Sequence, residues 1–332
     1  GRLASPPGLR DVARGLHALP IPKLPLLPRT WPDAVRRANL AIGRRLVLRA
    51  LARLGLDRPI AVYYGWYWAE WMRRLGERVA VYECIDEHRG YPHLAGRRRR
   101  IDYVWRHERA MLARTDVYAA LTPKLLEERA PLVRGPNIVL PNAIDLGPYD
   151  AGPGTPEPAA LAGLARPRAL FLGVLKGTID VAGIARLATS RPDAGFVLVG
   201  IRQEGFELPP LPANVRWLGP TPAAEIPAIM AHVDVGLLPF LPGAFTEAFF
   251  PIKILEYLAG GLAVAGNRVP GAEAWPAEFG TAVSIEPDLS AAFDRALGES
   301  RARGRDERRA LLAGRSWAAR ARSLLETVLA AE

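Results

Sequence analysis

The chain of 332 residues contains little cysteine and no long apolar run. Its single cysteine, Cys84, cannot form a disulfide within the chain, and no cysteine and histidine cluster has the spacing of a zinc site. No run approaches the roughly 18 apolar residues of a membrane-spanning helix, and no secretory signal peptide opens the sequence. These absences predict a cytoplasmic protein that has no structural metal and does not cross a membrane unaided.

Positive charge is concentrated in the first half of the chain. Residues 1–150 contain 26 Lys and Arg against 15 Asp and Glu, whereas residues 151–332 contain 18 against 19. This asymmetry predicts an anionic partner for the first half, such as a membrane surface, a phosphorylated lipid or a nucleic acid. An arginine-rich composition without functional meaning is the alternative.

A basic amphipathic helix is predicted over residues 33–54, after a proline-rich opening segment that we expect to form an extended loop up to Pro32. Apolar residues in this helix alternate with six arginines, and Trp31 precedes it. Such a helix either packs on a sheet or lies on anionic lipid, where each cation near the surface contributes about 1 kcal/mol.

Short apolar runs alternate with helical patterns through the rest of the chain, which is typical of parallel sheets covered by helices. The predicted strands lie at 59–64, 78–84, 117–121, 137–140, 169–174, 195–199, 215–218, 235–239, 262–265 and 282–285. We therefore predict an α/β fold of two Rossmann-like parallel-sheet domains facing a cleft. The predicted parts are a first domain at 1–147, a proline- and glycine-rich linker at 148–167, a second domain at 168–305, and a C-terminal helix at 306–332 that is long enough to cross back to the first domain.

Residues 249–265 have the pattern of a short helix whose amino end can bind phosphate. Pro251 fits the first helical position, and Gly260 with Gly261 fits the opposite end. Lys253 and Glu256 lie three residues apart on one face. Lys253 adds a cation to the free amides and dipole of the first turn, and Glu256 is placed to accept hydrogen bonds from ribose hydroxyls. The alternative is an ion pair between these two side chains.

A second candidate phosphate site follows the strand predicted at 169–174. Gly173 allows a diphosphate to approach the backbone, and Lys176 supplies positive charge. The glycines do not form a full dinucleotide fingerprint, so the sequence supports an oxidoreductase only weakly. An ordinary turn at Gly177 is the alternative.

In the first half, the strand predicted at 78–84 leads directly to Asp86, Glu87 and His88 at the edge of the expected cleft. A carboxylate there is a candidate general base for a sugar hydroxyl, because burial between domains raises its pKa. Ordinary loop charges are the alternative.

An aromatic run at 63–71, which includes Trp66 and Tyr67, follows another strand end. Such rings suit stacking on sugars, a membrane interface or a buried core. Aromatic and arginine-rich segments are separate in this sequence rather than interleaved, which disfavours binding to nucleic acid.

Four segments together resemble the GT-B fold glycosyltransferases of the group 1, family 4-like kind. Residues 251–264 (PIKILEYLAGGLAV) are similar to the donor-binding segment of that family. Weaker matches lie at 141–145 (PNAID), which resembles the end of the first domain, at 234–240 (DVGLLPF), the strand before the donor loop, and at 82–87 (YECIDE), a strand end of bacterial polysaccharide enzymes. The resemblance implies sugar transfer from a nucleotide diphosphate-sugar, with a UDP-sugar favoured, and no metal or other cofactor.

The resemblance also implies roles for individual residues. Lys253 would hold the donor diphosphate and Glu256 the ribose, and Asp86 matches the aspartate base of xanthan-type glucuronosyltransferases, which invert configuration. The other predicted donor-binding residues are Glu247, Gly173, Lys176, Pro251 and Ile252. The predicted acceptor-binding residues are Glu87, His88, Trp66 and Tyr67.

One position departs from the family. A glutamate usually stands eight positions before the second one, but this chain has Ala248 there and Glu247 lies one residue out of register. Retention or inversion of configuration is therefore left open. The proline-rich opening resembles the segment after the first strand in the family, so we expect residues before Gly1.

The expected acceptor is a lipid-linked or polysaccharide hydroxyl. The expected location is the inner face of the cell membrane, which the basic first domain would contact. The alternatives are a nucleotide-sugar epimerase of the same fold and a non-catalytic basic protein that binds membrane or nucleic acid.

Overall fold

A computed structural model of the chain describes residues 8–21, 33–150 and 154–331. Most of the predicted proline-rich loop, together with Trp31, lies outside these ranges. Residues 8–21 form an antiparallel hairpin of β1 (Arg10–Ala13) and β2 (Leu16–Ala18). The sequence predicts an extended course but not this strand pairing, which forms because Gly15 takes a left-handed conformation with φ of 73° and lets the chain reverse.

The remaining strands lie within two residues of the predicted bounds, and the helices between them complete the alternation. The strands are β3 (Ile60–Tyr63), β4 (Val79–Cys84), β5 (Val117–Ala120), β6 (Asn137–Val139), β7 (Arg168–Leu172), β8 (Gly195–Val199), β9 (Val215–Gly219), β10 (Val235–Leu238), β11 (Ala263–Asn267) and β12 (Val283–Glu286). The helices are α1 (Asp33–Arg53), α2 (Arg98–Leu112), α3 (Pro123–Arg129), α4 (Val181–Ser190), α5 (Ile226–Ala231), α6 (Lys253–Ala259), α7 (Ala274–Phe279), α8 (Leu289–Ala302), α9 (Arg305–Ala310) and α10 (Trp317–Leu329).

The first sheet has four parallel strands in the order β3, β4, β5, β6. Every residue of β4 and β5 is buried, which explains the nearly continuous apolar sequence of these strands. Since the strands are parallel, their carboxyl ends share one edge of the sheet. Tyr64, Ile85, Leu121 and Leu140 are the first residues beyond those ends.

The second sheet has six parallel strands in the order β12, β11, β10, β7, β8, β9. Strands β8 and β9 lie on one side of β7, and β10, β11 and β12 lie on its other side. The strand order therefore reverses between β7 and β10. Ligands of open parallel sheets bind beyond the strand carboxyl ends at such a point. The two parallel sheets confirm the predicted α/β fold, and the turns after β7 and β10 lie where a ligand is expected.

The helix α10 lies against the first sheet although it follows the second sheet in the sequence. Val328 packs in one apolar cluster with Val79, Val81 and Val117 of β4 and β5. Gly314, with φ of 80°, lies between α9 and α10, so the C-terminal helix predicted at 306–332 is divided into two helices. The last described part of the chain therefore joins the two halves.

Candidate active site

A cavity of about 410 Å³ opens at the carboxyl ends of the first sheet. The loops after β3, β4, β5 and β6 supply one wall, and the loop before α6 together with α10 supplies the other. Its lining residues are Tyr64, Glu83, Ile85, Asp86, Leu121, Asn142, Phe250, Ile252, Trp317 and Arg320. Residues from both halves of the chain thus meet at the edge where parallel sheets bind ligands.

Asp86 is a partly buried carboxylate in this cavity. Burial raises its pKa, while a hydrogen bond from the Tyr91 hydroxyl at 2.9 Å and the charges of His88 and Lys176 act in the opposite direction. The net shift is upward, so Asp86 holds a proton more readily than an exposed aspartate does. A raised pKa is what a carboxylate needs in order to act as a general base near neutral pH.

Lys176 lies on the turn that follows β7 in the second sheet, and its charge is near enough to lower the pKa of Asp86. The predicted donor cation therefore acts on the predicted base through its charge. The same turn begins at Gly173. A Cβ added at Gly200 would lie 1.9 Å from the Gly173 carbonyl oxygen. Gly200 has φ of 134°, a conformation that disfavours larger residues.

The helix α6 begins at Lys253, and Ile252 is its N-cap. The prediction that Pro251 occupies the first helical position is wrong, because Pro251 precedes the cap and its carbonyl accepts a short-range bond from the Ile254 amide at 3.1 Å. At the opposite end, Gly261 takes the predicted left-handed conformation with φ of 73°.

Lys253 and Glu256 form an ion pair with 2.5 Å between Nζ and Oε2. Their side chains are 29% and 16% exposed, so solvent or a ligand reaches both groups. Burial and the Glu256 charge raise the pKa of Tyr149 to about 12, which places this carboxylate near the turn that follows β6. The interpretation of the two residues as an ion pair holds in this structure, and a donor would have to divide the pair.

Glu247 turns toward the first half of the chain. Its carboxylate lies 3.4 Å from the Lys124 ammonium of α3, and its side chain is half exposed. The adjacent Ala248 is buried, and its carbonyl accepts a hydrogen bond from the Thr122 hydroxyl at 3.2 Å. The structure therefore gives no support to a donor contact by Glu247.

The loop between β10 and α6 is held against the first sheet by further contacts. The Asn142 side-chain amide donates to the Phe250 carbonyl at 3.2 Å, and the Phe245 and Tyr91 rings lie 5.9 Å apart. A Cβ added at Gly90 would lie 2.6 Å from the Ala244 backbone. Because the Tyr91 hydroxyl also donates a hydrogen bond to Asp86, Tyr91 contacts both this loop and the candidate base.

Glu87 and His88 are buried below the cavity rather than exposed in it. Glu87 pairs with Arg89 at 2.7 Å and with Arg129 at 3.1 Å, and these partners lower its pKa although burial alone would raise it. The His88 ring packs edge-on against Tyr91, with 5.6 Å between ring centroids. The acceptor prediction for Glu87 and His88 is not supported by this geometry, because both side chains are buried below the cavity.

A buried group of possible metal ligands lies beneath the same strand end. One donor atom each from Cys84, His88 and Glu108 lie within 4.8 Å of one another. However, Glu108 already accepts hydrogen bonds from Tyr82 and from Arg129, each at 2.8 Å. Burial raises the pKa of Cys84 to about 12, which keeps the thiol protonated. The guanidinium and the neutral thiol disfavour a cation at this group.

The aromatic run forms a cluster of its own. Trp66 contacts Tyr67 and Tyr103 edge-on, with ring centroids 5.9 and 5.8 Å apart, and lies against His107. Trp66 is therefore a packing residue, whereas Tyr67 is 48% exposed. Sequence reasoning missed the cavity residues Tyr64, Glu83, Trp317 and Arg320, and only Tyr64 carried a local signal, its position directly after β3.

Comparisons with known proteins agree with this geometry. Residues 166–299 match the family model described as "Glycosyl transferases group 1". The matched segment contains the whole second sheet, which is therefore similar to the group 1 glycosyltransferases. The resemblance predicted from residues 251–264 is confirmed.

A putative teichuronic acid biosynthesis glycosyltransferase of Bacillus subtilis (strain 168) is 29% identical over 170 residues, which are 48% of this chain and 42% of that protein. The chain thus aligns with less than half the length of this relative.

Solved structures extend the similarity across both sheets. Sucrose-phosphate synthase from Thermosynechococcus elongatus superposes with a TM-score of 0.70 at 17% identity and covers 98% of this chain and 87% of its own. A protein of Anabaena, in complex with UDP and glucose, gives 0.60 at 14% identity and covers 86% and 82%. The fold of the whole chain is GT-B. Among the described residues, no helix is long and apolar enough to cross a membrane.

The position of Tyr91 predicts the behaviour of Asp86 in solution. Replacement of Tyr91 by Phe removes the hydrogen bond that lowers the Asp86 pKa, so that pKa should rise further. Carboxyl-carbon NMR of aspartate-labelled protein measures it directly. Tyr63→Phe, which removes a 2.7 Å bond to Glu77, is the matched control and should leave Asp86 unchanged. An unchanged or lowered pKa in Tyr91→Phe would contradict the assignment.

Proposed function

We propose that the chain transfers a sugar from a nucleotide diphosphate-sugar, with a UDP-sugar favoured, to a hydroxyl of a lipid-linked or polysaccharide acceptor. The observation that carries the proposal is the cavity of the GT-B fold that is lined by Asp86 from the first half of the chain and by Ile252, at the start of α6, from the second. The group 1 domain match and a relative named for teichuronic acid biosynthesis support a role in glycan synthesis. A similar fold in complex with UDP and glucose favours a UDP-sugar.

The second sheet provides the donor half of the proposed site. Lys253 and Lys176 bring two cations to the strand ends, and Gly173 is the first residue beyond β7, where a glycine allows a diphosphate to approach the backbone closely. When the donor binds, Lys253 exchanges its Glu256 partner for phosphate oxygens, and the released carboxylate accepts the ribose hydroxyls. Pro251 and Ile252 fix the chain that leads into α6. Positive charge at the leaving diphosphate stabilises the transition state without requiring a metal.

Asp86 acts as the base in the proposed reaction. It removes the proton from the acceptor hydroxyl, the acceptor oxygen bonds to the anomeric carbon, and the bond from that carbon to the diphosphate breaks. The nucleoside diphosphate leaves with the bonding electrons, and the proton remains on Asp86. Such a single displacement inverts configuration. Ala248 is buried and Glu247 pairs with Lys124, so neither supplies a carboxylate to the donor sugar. This supports a mechanism in which Asp86 is the base.

A membrane contact through the first half is a further part of the proposal. The exposed face of α1 carries Arg45, Arg49 and Arg53 together with Ile42, which is 43% exposed. Arg44 lies on the packed side, where it donates to the Arg74 carbonyl at 3.1 Å. The exposed arginines support attraction to the anionic inner face of a cell membrane, where lipid-linked acceptors are found.

The proposed preference for a UDP-sugar predicts which ligand stabilises the protein. UDP-sugars should raise the thermal unfolding midpoint of the protein more than GDP-, ADP- or dTDP-sugars do, because a ligand that binds only the folded state stabilises it.

The donor assignment predicts the effect of Lys253→Met. This variant should bind the donor at least about tenfold more weakly, since a hydrogen bond to a charged group is worth roughly 1.5–3 kcal/mol. Lys124→Met removes the lysine paired with Glu247 and serves as the control. Equal donor affinity in both variants would refute the role of Lys253.

The base assignment predicts that Asp86→Asn loses transfer by at least about 100-fold, as is typical for a general base, while donor affinity is retained. Transfer is measured as the release of nucleoside diphosphate that depends on an acceptor preparation of lipid-linked glycans. The epimerase alternative makes a different prediction, because an altered nucleotide-sugar would then form without any acceptor.

The membrane contact predicts binding to vesicles that contain phosphatidylglycerol and not to vesicles of phosphatidylcholine alone. The double variant Arg45→Gln and Arg49→Gln should pellet less with anionic vesicles, and added salt should reduce binding further. Arg186→Gln with Arg295→Gln removes two exposed arginines from the second half and is the charge-matched control. Equal pelleting of both double variants would exclude α1 as the contact surface.

A further inference from the structure

We propose that the cavity between Tyr64 and Trp317 is a built subsite for an uncharged pyranose ring of the acceptor, which hydrogen bonds to Glu83. The inference rests on the proposed glycosyl transfer and names the chemical class of the acceptor at the same site. It assigns binding roles to residues that lie on the β3 loop, the end of β4 and α10.

Two large aromatic rings face this cavity without being buried. Tyr64 is 48% exposed and Trp317 is 49% exposed, and both line the cavity. The Arg320 guanidinium lies 5.6 Å from the centroid of the Trp317 ring and restricts its orientation. Flat rings with a polar edge stack on the apolar C–H faces of sugars. The cavity therefore offers a stacking surface.

Glu83 supplies a hydrogen-bond acceptor that lacks a partner. Its side chain is 2% exposed, and Oε1 accepts from Arg320 Nη2 at 2.5 Å. Within residues 8–21, 33–150 and 154–331, no group hydrogen bonds to the buried Oε2 atom. A buried carboxylate oxygen without a partner is costly and rare. A hydroxyl of a ligand in the cavity would supply the missing hydrogen bond.

The charges around the cavity select an uncharged ligand. Glu83 is neutralised by Arg320, and Asp86 adds a carboxylate to the same lining. Because Arg320 already pairs with Glu83, the charge that remains in this lining is that of Asp86, which would repel a phosphate or a carboxylate. A polyhydroxylated ring avoids this repulsion and satisfies Glu83. The volume of about 410 Å³ lies within the range of small-molecule sites.

The subsite is also correctly placed for transfer. Asp86 and Ile252 line the same cavity, so a ring stacked on Trp317 presents one hydroxyl to the base and lies beside the start of α6. The Asn142 side chain in the lining bonds the loop that leads to α6. The acceptor ring and the donor would therefore contact opposite sides of one space.

Saturation-transfer NMR with methyl pyranosides tests the subsite without a donor or a known acceptor. The probes are the methyl glycosides of glucose, galactose, mannose, N-acetylglucosamine and glucuronic acid. At least one neutral glycoside should bind, and Trp317→Ala should weaken it at least about tenfold, as is typical when a contact tryptophan is truncated. Glu83→Gln keeps the shape of the side chain and should also weaken binding. Leu325→Ala, on the same helix and with the same 49% exposure, should not.

The outcomes separate this inference from the proposed function. Binding of no glycoside, equal binding in all variants, or a preference for the glucuronide would overturn the subsite. Donor binding is measured on the same samples by thermal shift with UDP-sugars. Loss of glycoside binding in Trp317→Ala and Glu83→Gln, in a protein that binds no nucleotide-sugar, would support the subsite and refute the glycosyl transfer.

Discussion

The site depends on one interaction, the insertion of Arg320 into the carboxyl edge of the first sheet. Its guanidinium donates hydrogen bonds to Glu83 at the end of β4 and to the carbonyls of Leu140 and Pro141 after β6, two strands that are separated by β5. These contacts bring α10, which follows the second sheet, to the strand ends of the first. Because Glu83 is buried, removal of Arg320 would leave an uncompensated charge there. The cavity wall that carries Trp317 exists through this contact.

A second set of contacts fixes the opposite wall. Thr122, Lys124 and Asn142 hold the loop before α6 by its backbone and by Glu247, and Tyr91 touches that loop while it bonds Asp86. Tyr91, which orients the candidate base Asp86, therefore also contacts the loop before α6. The charge of Lys176, on the turn after β7, lowers the pKa of Asp86 from the second sheet.

Local patterns predicted the strands and the turn at Gly261, because alternation and left-handed glycines are properties of adjacent residues. The helix start was placed too early, since Pro251 fits either the first turn or the approach to it. The structure does not support the predicted contacts of Glu87 and Trp66 for another reason: the Arg129 and Tyr103 side chains that pack on them come from distant parts of the chain, while His88 is buried against its near neighbour Tyr91. Glu83 and Arg320 are 237 residues apart, and no local pattern relates them.

The central claim is that a base on the first sheet activates the acceptor for direct attack on a donor held by the second. The measurement that tests it most directly is proton NMR of the anomeric configuration of the first product formed from an α-linked UDP-sugar. Direct attack assisted by Asp86 predicts a β-linked product, with configuration inverted at the anomeric carbon. An α-linked first product would contradict the account, because retention requires a mechanism in which Asp86 is not the base for a single displacement.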